Sequence, residues 1–213
     1  MNHSPTSNTS LQKLGDEVIS IIYIFAVISS LTLCLDLYVN SSLSSTDLDT
    51  MFLYDSSFYK ALNILVTLDF LMFWTYLLGI IWFTHKSQLY NFDRGIQDLK
   101  YSANWVGIWW LIPFLNLWMP LRVVRETYLS SFQEKKNKLG SNALQTFLGW
   151  WGCWVIALIT NGLTNSFYGY NLYEVAITLS TISSFFFICS ALSFVGIIKS
   201  IYSNQLETSQ NKL

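Results

Sequence analysis

The chain has 213 residues, of which 52% are apolar types, 17% are aromatic and only 12% are charged, with a formal net charge of −1. A soluble domain carries about twice that charged fraction, so the composition excludes an ordinary soluble fold. The near-zero charge excludes the global basic field that would draw in nucleic acid. Cys34, Cys153 and Cys189 lie in apolar stretches, without metal-ligand spacing and in an odd number, so they read as small apolar side chains.

Residues 1–17 are polar and read as an N-terminal tail. The apolar run that follows is too long for a signal-peptide core and ends without a small-x-small pattern. A hydrocarbon layer of about 30 Å takes roughly 20 helical residues to cross. Four segments meet that length: 18–39, 61–84, 146–163 and 173–201. Asp36 falls in the first, and Asn63 and Asp69 fall in the second. A fifth apolar segment, 105–118, is too short to cross and contains Pro113, so it reads as re-entrant or interfacial.

Basic residues support this count. Lys86, Arg94, Lys100, Arg122, Arg125, Lys135, Lys136 and Lys138 lie between the second and third spans, whereas 40–60 offers only Lys60. Lys and Arg gather on the cytoplasmic side. Four crossings with both termini inside satisfy that rule for all but Lys60, and a fifth crossing would break it. The Trp residues at 82, 105, 109, 110, 118, 150, 151 and 154 are then expected at the inner interface, as an anchoring belt.

Pro120 suits the first turn of a helix. Leu121, Val124, Tyr128 and Phe132 recur at helical spacing after it, which predicts an amphipathic helix over 120–138 on the inner leaflet. Residues 203–213 form a polar C-terminal tail. The predicted architecture is an all-α, polytopic membrane bundle. Its single membrane domain, 18–202, holds four transmembrane helices, a re-entrant or interfacial Trp/Pro segment and an amphipathic helix.

One stretch carries a signature. It reads Trp109-Trp110-Leu111-Ile112-Pro113-Phe114-Leu115-Asn116-Leu117-Trp118-Met119-Pro120-Leu121-Arg122-Val123-Val124-Arg125-Glu126, and Leu148-Gly149-Trp150-Trp151 follows after a gap. This resembles the bacterial membrane proteins grouped as domain of unknown function 4328. The resemblance implies a multi-pass protein of a prokaryotic inner or plasma membrane. It supplies no substrate.

Two groups of residues are candidates for function. Asp69 is a carboxylate deep in a span, costing about 2.5–3.5 kcal/mol to insert, and reads as either a proton or cation site or a hydrogen-bonded structural acid. Asp36 and Asn63, nearer the outer boundary, could share that site. The second group is Asn104, Trp109, Trp110, Pro113, Asn116, Trp118, Pro120, Arg122, Arg125 and Glu126. Its arginines could hold a lipid phosphate, or pair locally with Glu126. Ala176, Ser180 and Ser184 permit close helix packing, within the bundle or between copies.

No paired-His zinc pattern, phosphate loop or nucleophile elbow occurs, and no catalytic residue, metal or cofactor is expected. The leading expectation is a non-catalytic protein that organises lipid or a membrane partner, with or without homo-oligomerisation, and does not bind nucleic acid. The alternative is a small oligomeric transporter or channel using Asp69 and the re-entrant segment. A membrane enzyme ranks third.

Overall fold

The computed structural model describes residues 8–43, 56–96, 99–112, 115–132, 141–170 and 172–210. All regular structure among these is helical: α1 (Asn8–Leu43), α2 (Ser56–Asp93), α3 (Ala103–Leu111), a 3-10 turn (Leu115–Leu117), α4 (Met119–Ser131), α5 (Ser141–Gly169) and α6 (Tyr173–Gln210). Four of them, α1, α2, α5 and α6, are long and apolar enough to cross a membrane. Helix is what lipid demands of such segments, because each backbone N–H must find its acceptor within the segment itself.

These helices overrun their apolar stretches. α2 and α6 have 38 residues each, roughly 57 Å at 1.5 Å per residue, against a hydrocarbon layer of about 30 Å. α1 begins at Asn8, within the expected polar tail, and buries Leu11 and Gly15 there. α6 continues through most of the expected C-terminal tail and buries Gln205. Packing explains both extensions. A Cβ at Gly15 would come within 2.8 Å of the Tyr202 ring, so the absent side chain is what lets α1 and α6 approach.

α1 packs against both α2 and α6, and α6 packs against both α1 and α5. The core at their meeting includes Phe25, Tyr76, Phe83, Trp150, Trp154 and Phe194, joined by Trp110 from α3. The anchoring belt is therefore corrected for three residues: Trp110, Trp150 and Trp154 are 2%, 0% and 1% exposed. Trp82, Trp105 and Trp118 are exposed, as belt residues are. Lipid tails give helices little hydrophobic reason to associate, so close packing must hold them together, and large rings supply much contact area. Trp154 stacks on Phe73 at 6.0 Å and meets Phe187 and Trp110 edge-on at 5.7 and 5.8 Å.

The short elements gather at the end of the bundle where α2 and α6 finish. Gly95, at φ 81°, closes α2, with the Ile96 N–H donating back to the Asn91 carbonyl. The chain then returns as α3, whose Ala103 carbonyl accepts from His85 Nδ1–H at 2.8 Å. In α4, Pro120 occupies the first turn as expected. The helix ends at Ser131, since Phe132 is extended, so it stops short of the predicted 120–138; residues 133–140 lie outside those described. Its buried face is Met119, Pro120, Val123, Val124, Thr127 and Ser131. Of the expected stripe only Val124 is fully buried; Leu121 and Tyr128 are partly buried. The predicted face is thus rotated, because α2 and α6 offer polar partners that draw Thr127 and Ser131 inward.

Candidate functional site

Of the two candidate groups, the first lies along α1, in the half of the bundle away from α4. Ser29 Oγ donates to Asp69 Oδ1, and Ser180 Oγ donates to Asp36 Oδ2 at 2.9 Å. Ser29 and Asp36 are seven residues apart, which puts them on one face of α1. That face therefore bonds α2 through Asp69 and α6 through Ser180. The two carboxylates are within electrostatic reach of each other, but each has its own serine. Asn63 is exposed and does not join them. Of the small residues expected to pack on α6, Ala176 is fully buried and Ser180 bonds Asp36, so both serve contacts inside the bundle, while Ser184 is partly exposed.

The second group is at the opposite, basic end. α4 is fastened there by buried polar side chains. Thr127 Oγ1 donates to Gln88 Oε1 at 2.9 Å, and Asn91 Nδ2 donates to the Thr127 carbonyl at 3.2 Å. Gln205 Nε2 donates to Asn91 Oδ1 at 2.8 Å and to the Ser87 carbonyl at 3.2 Å. Gln88 Nε2 reaches the Tyr101 carbonyl, and Asn204 Nδ2 reaches Ser131 Oγ. Gln88, Asn91, Thr127 and Gln205 are at most 1% exposed. Burial at that level is tolerable only because they bond one another.

Glu126 belongs to this fastening. Its Oε1 accepts the backbone N–H groups of Lys100 and Tyr101, which tie α4 to the segment before α3. The expected local Arg–Glu pair is not what the structure contains. Glu126 turns inward, while Arg122 and Arg125 are exposed, and among the described residues neither has an acid within ion-pair distance. Trp118, Arg122 and Arg125 follow one another at four- and three-residue steps and so share one outward face of α4. Trp105, Ile108, Ile112 and Leu117 are exposed close by in sequence. Trp109 is partly buried beside Trp105, with ring centroids 5.7 Å apart, and Asn104 is exposed. Pro113 and the side chain of Asn116 lie outside the described residues.

Burial pushes the Glu126 carboxyl above its ordinary value, and the two N–H donors and the Lys100 charge only partly oppose this. The folded protein thus keeps this proton to higher pH than the unfolded chain. Stability from this group is greatest below the ordinary value of 4.5 and falls as pH rises through the raised folded value. Glu126→Gln keeps an acceptor for the two N–H groups and removes the titration. The loss of thermal midpoint as pH rises above the ordinary value of 4.5 is expected to be smaller in that variant, measured by calorimetry in nanodiscs. An unchanged loss would assign it to other groups.

The polar fastening escaped sequence reading, although a signal was present. Thr84, Ser87, Gln88 and Asn91 repeat at 3-, 4- and 7-residue offsets, a polar stripe continuing from the second span.

A family model described as Domain of unknown function (DUF4328) matches residues 48–202. No curated protein and no solved structure matches.

Proposed function

This chain belongs to the DUF4328 family, and we propose that it is a non-catalytic membrane protein that organises anionic lipid at the inner leaflet. The observation that carries this reading is the outward face of α4. Two exposed arginines there, Arg122 and Arg125, share the face of Trp118 and, with Glu126 bonded to Lys100 and Tyr101, have no acid within ion-pair distance among the described residues. Guanidinium groups bind phosphate oxygens in a bidentate way. Indole rings settle at headgroup depth. The fastening of Gln88, Asn91, Thr127 and Gln205 would hold this face in a fixed position relative to the bundle. In this reading the basic end faces the cytoplasm, in keeping with the distribution of Lys and Arg.

The transporter reading draws on Asp69, and the face of α2 that carries it argues against a continuous path. From Tyr76 to Ser87 the buried residues include Leu77, Ile80 and Phe83. The next buried polar side chain after Tyr76 on this helix is Thr84, eight residues and roughly 12 Å away, too far for one polar side chain to reach the next.

The test is lipid retention in nanodiscs that mix zwitterionic lipid with phosphatidylglycerol. Each basic residue near an anionic surface contributes about 1 kcal/mol. The double variant Arg122→Gln/Arg125→Gln is therefore expected to lose about 2 kcal/mol, roughly thirtyfold, of its preference for the anionic lipid. Equal preference in variant and wild type would sink the reading. Proton-coupled flux in liposomes that disappears in Asp69→Asn would favour transport instead.

A further inference from the structure

The basic surface at the inner end of the bundle extends beyond α4. Glu126 Oε1 accepts the backbone N–H groups of Lys100 and Tyr101, which fixes the segment before α3 against α4. From α2, Gln88 Nε2 donates to the Tyr101 carbonyl at 3.0 Å and His85 Nδ1–H to the Ala103 carbonyl at 2.8 Å. The place of Lys100 is therefore set from two helices, although Lys100 itself lies outside any helix. The residue is exposed. Its ammonium is near enough to feel the Glu126 carboxylate without forming an ion pair.

Helix geometry gives the layout of three cations. Each residue turns an α-helix by about 100°, so Glu126 lies about 40° to one side of Arg122 and Arg125 about 60° to the other. Lys100 is held on the Glu126 side. Lys100 and Arg125 thus flank Arg122 across a helix about 10 Å wide, too broad a span for one phosphate group to touch both ends. Among the described residues none of the three has an acid within ion-pair distance. Glu126 stands between them, but its Oε1 is taken by two backbone donors and its Oε2 is enclosed. A phosphodiester carries one negative charge, so a lipid with a single phosphate answers only part of this row.

We propose that Lys100, Arg122 and Arg125 form one headgroup site for a lipid with two phosphates, a diphosphatidylglycerol; this rests on the anionic-lipid reading of α4 and names the lipid. Arg122 and Arg125 hold one phosphate through their planar guanidinium groups, and Lys100 meets the other as a point charge. The glycerol bridge between the two phosphates makes the second contact intramolecular once the first is made, which raises its effective concentration. The exposed Trp118 ring, on the face of the arginines, sits at the depth of such a headgroup.

The experiment is lipid retention by the full chain in phosphatidylcholine nanodiscs that carry phosphatidylglycerol or diphosphatidylglycerol at equal phosphate. The wild type is expected to prefer diphosphatidylglycerol by about fivefold, the worth of one further basic contact. Lys100→Gln keeps the backbone N–H that Glu126 accepts, and is expected to bring the two anionic lipids to parity while both remain preferred to phosphatidylcholine. Lys86→Gln removes an equal charge from the same end of the bundle, where Lys86 Nζ lies 4.9 Å over the Trp82 ring, and should leave the fivefold preference in place. Parity in the wild type overturns the proposal, as does a preference that Lys100→Gln leaves intact or that Lys86→Gln abolishes equally. Competition by the deacylated headgroup as strong as by the lipid also overturns it, by assigning the site to a soluble phosphate ligand. The reading of α4 fails separately, when Arg122→Gln/Arg125→Gln keeps the wild-type preference for phosphatidylglycerol.

Discussion

Trp150→Ala is expected to lower the unfolding free energy by about 3 kcal/mol, the lower end of the range for a buried Trp→Ala change. The lower end applies because the reference is lipid, not water, so mainly lost packing counts. The indole is fully buried and touches Phe147, Trp151, Phe194 and Trp110. Trp110 belongs to α3, so the cavity also removes the wall against which that short helix docks. Denaturant titration in bicelles would read the loss, and Trp150→Phe should recover part of it. A loss under 1 kcal/mol for the alanine variant would mean that the core closes over the gap.

Asn91→Leu is expected to free α4 from the bundle while the four long helices remain assembled. Asn91 Nδ2 holds the Thr127 carbonyl and its Oδ1 accepts from Gln205. Two buried bonds at about 1 kcal/mol each, together with the unmet Gln205 donor, give about 2–3 kcal/mol. Hydrogen exchange of the amides of Met119–Ser131 should accelerate by roughly 30- to 150-fold, with little change in Ile177–Ile198. Equal acceleration of both segments would mean that the fastening supports the whole fold, and not only α4.

The number of long helices was legible in the sequence because spanning length and apolar content are local properties. Their ends were not legible. Leu11 and Gln205 lie in stretches whose composition is that of a tail, and only contact with a distant segment buries them. The aromatic belt was half legible for a related reason. An indole suits an interface and a packed core equally well by composition, so Trp82 and Trp154 cannot be told apart without knowing what stands opposite. Periodicity placed α4, and its face turned when Thr127 found Gln88. Asp36 and Asp69 were conspicuous as acids among apolar residues, but their serines, 144 and 40 residues away, were not. The inward turn of Glu126, which takes it from Arg122 and Arg125, depends on two backbone N–H groups about 25 residues upstream and has no sequence signature.

The face of α1 that carries Ser29 and Asp36 sets an order of assembly during biosynthesis. α1 can close its contact with α2 as soon as that helix enters the bilayer, since Asp69 brings the partner for Ser29. The partner for Asp36, Ser180, belongs to α6 and is translated 144 residues later. Until then the hairpin of α1 and α2 presents a carboxylate that has not yet met its hydroxyl. Arrival of the α5–α6 hairpin supplies that hydroxyl and joins the two hairpins along α1 and α6. Completion of the bundle is thereby tied to arrival of its final helix, which carries the hydroxyl that Asp36 bonds.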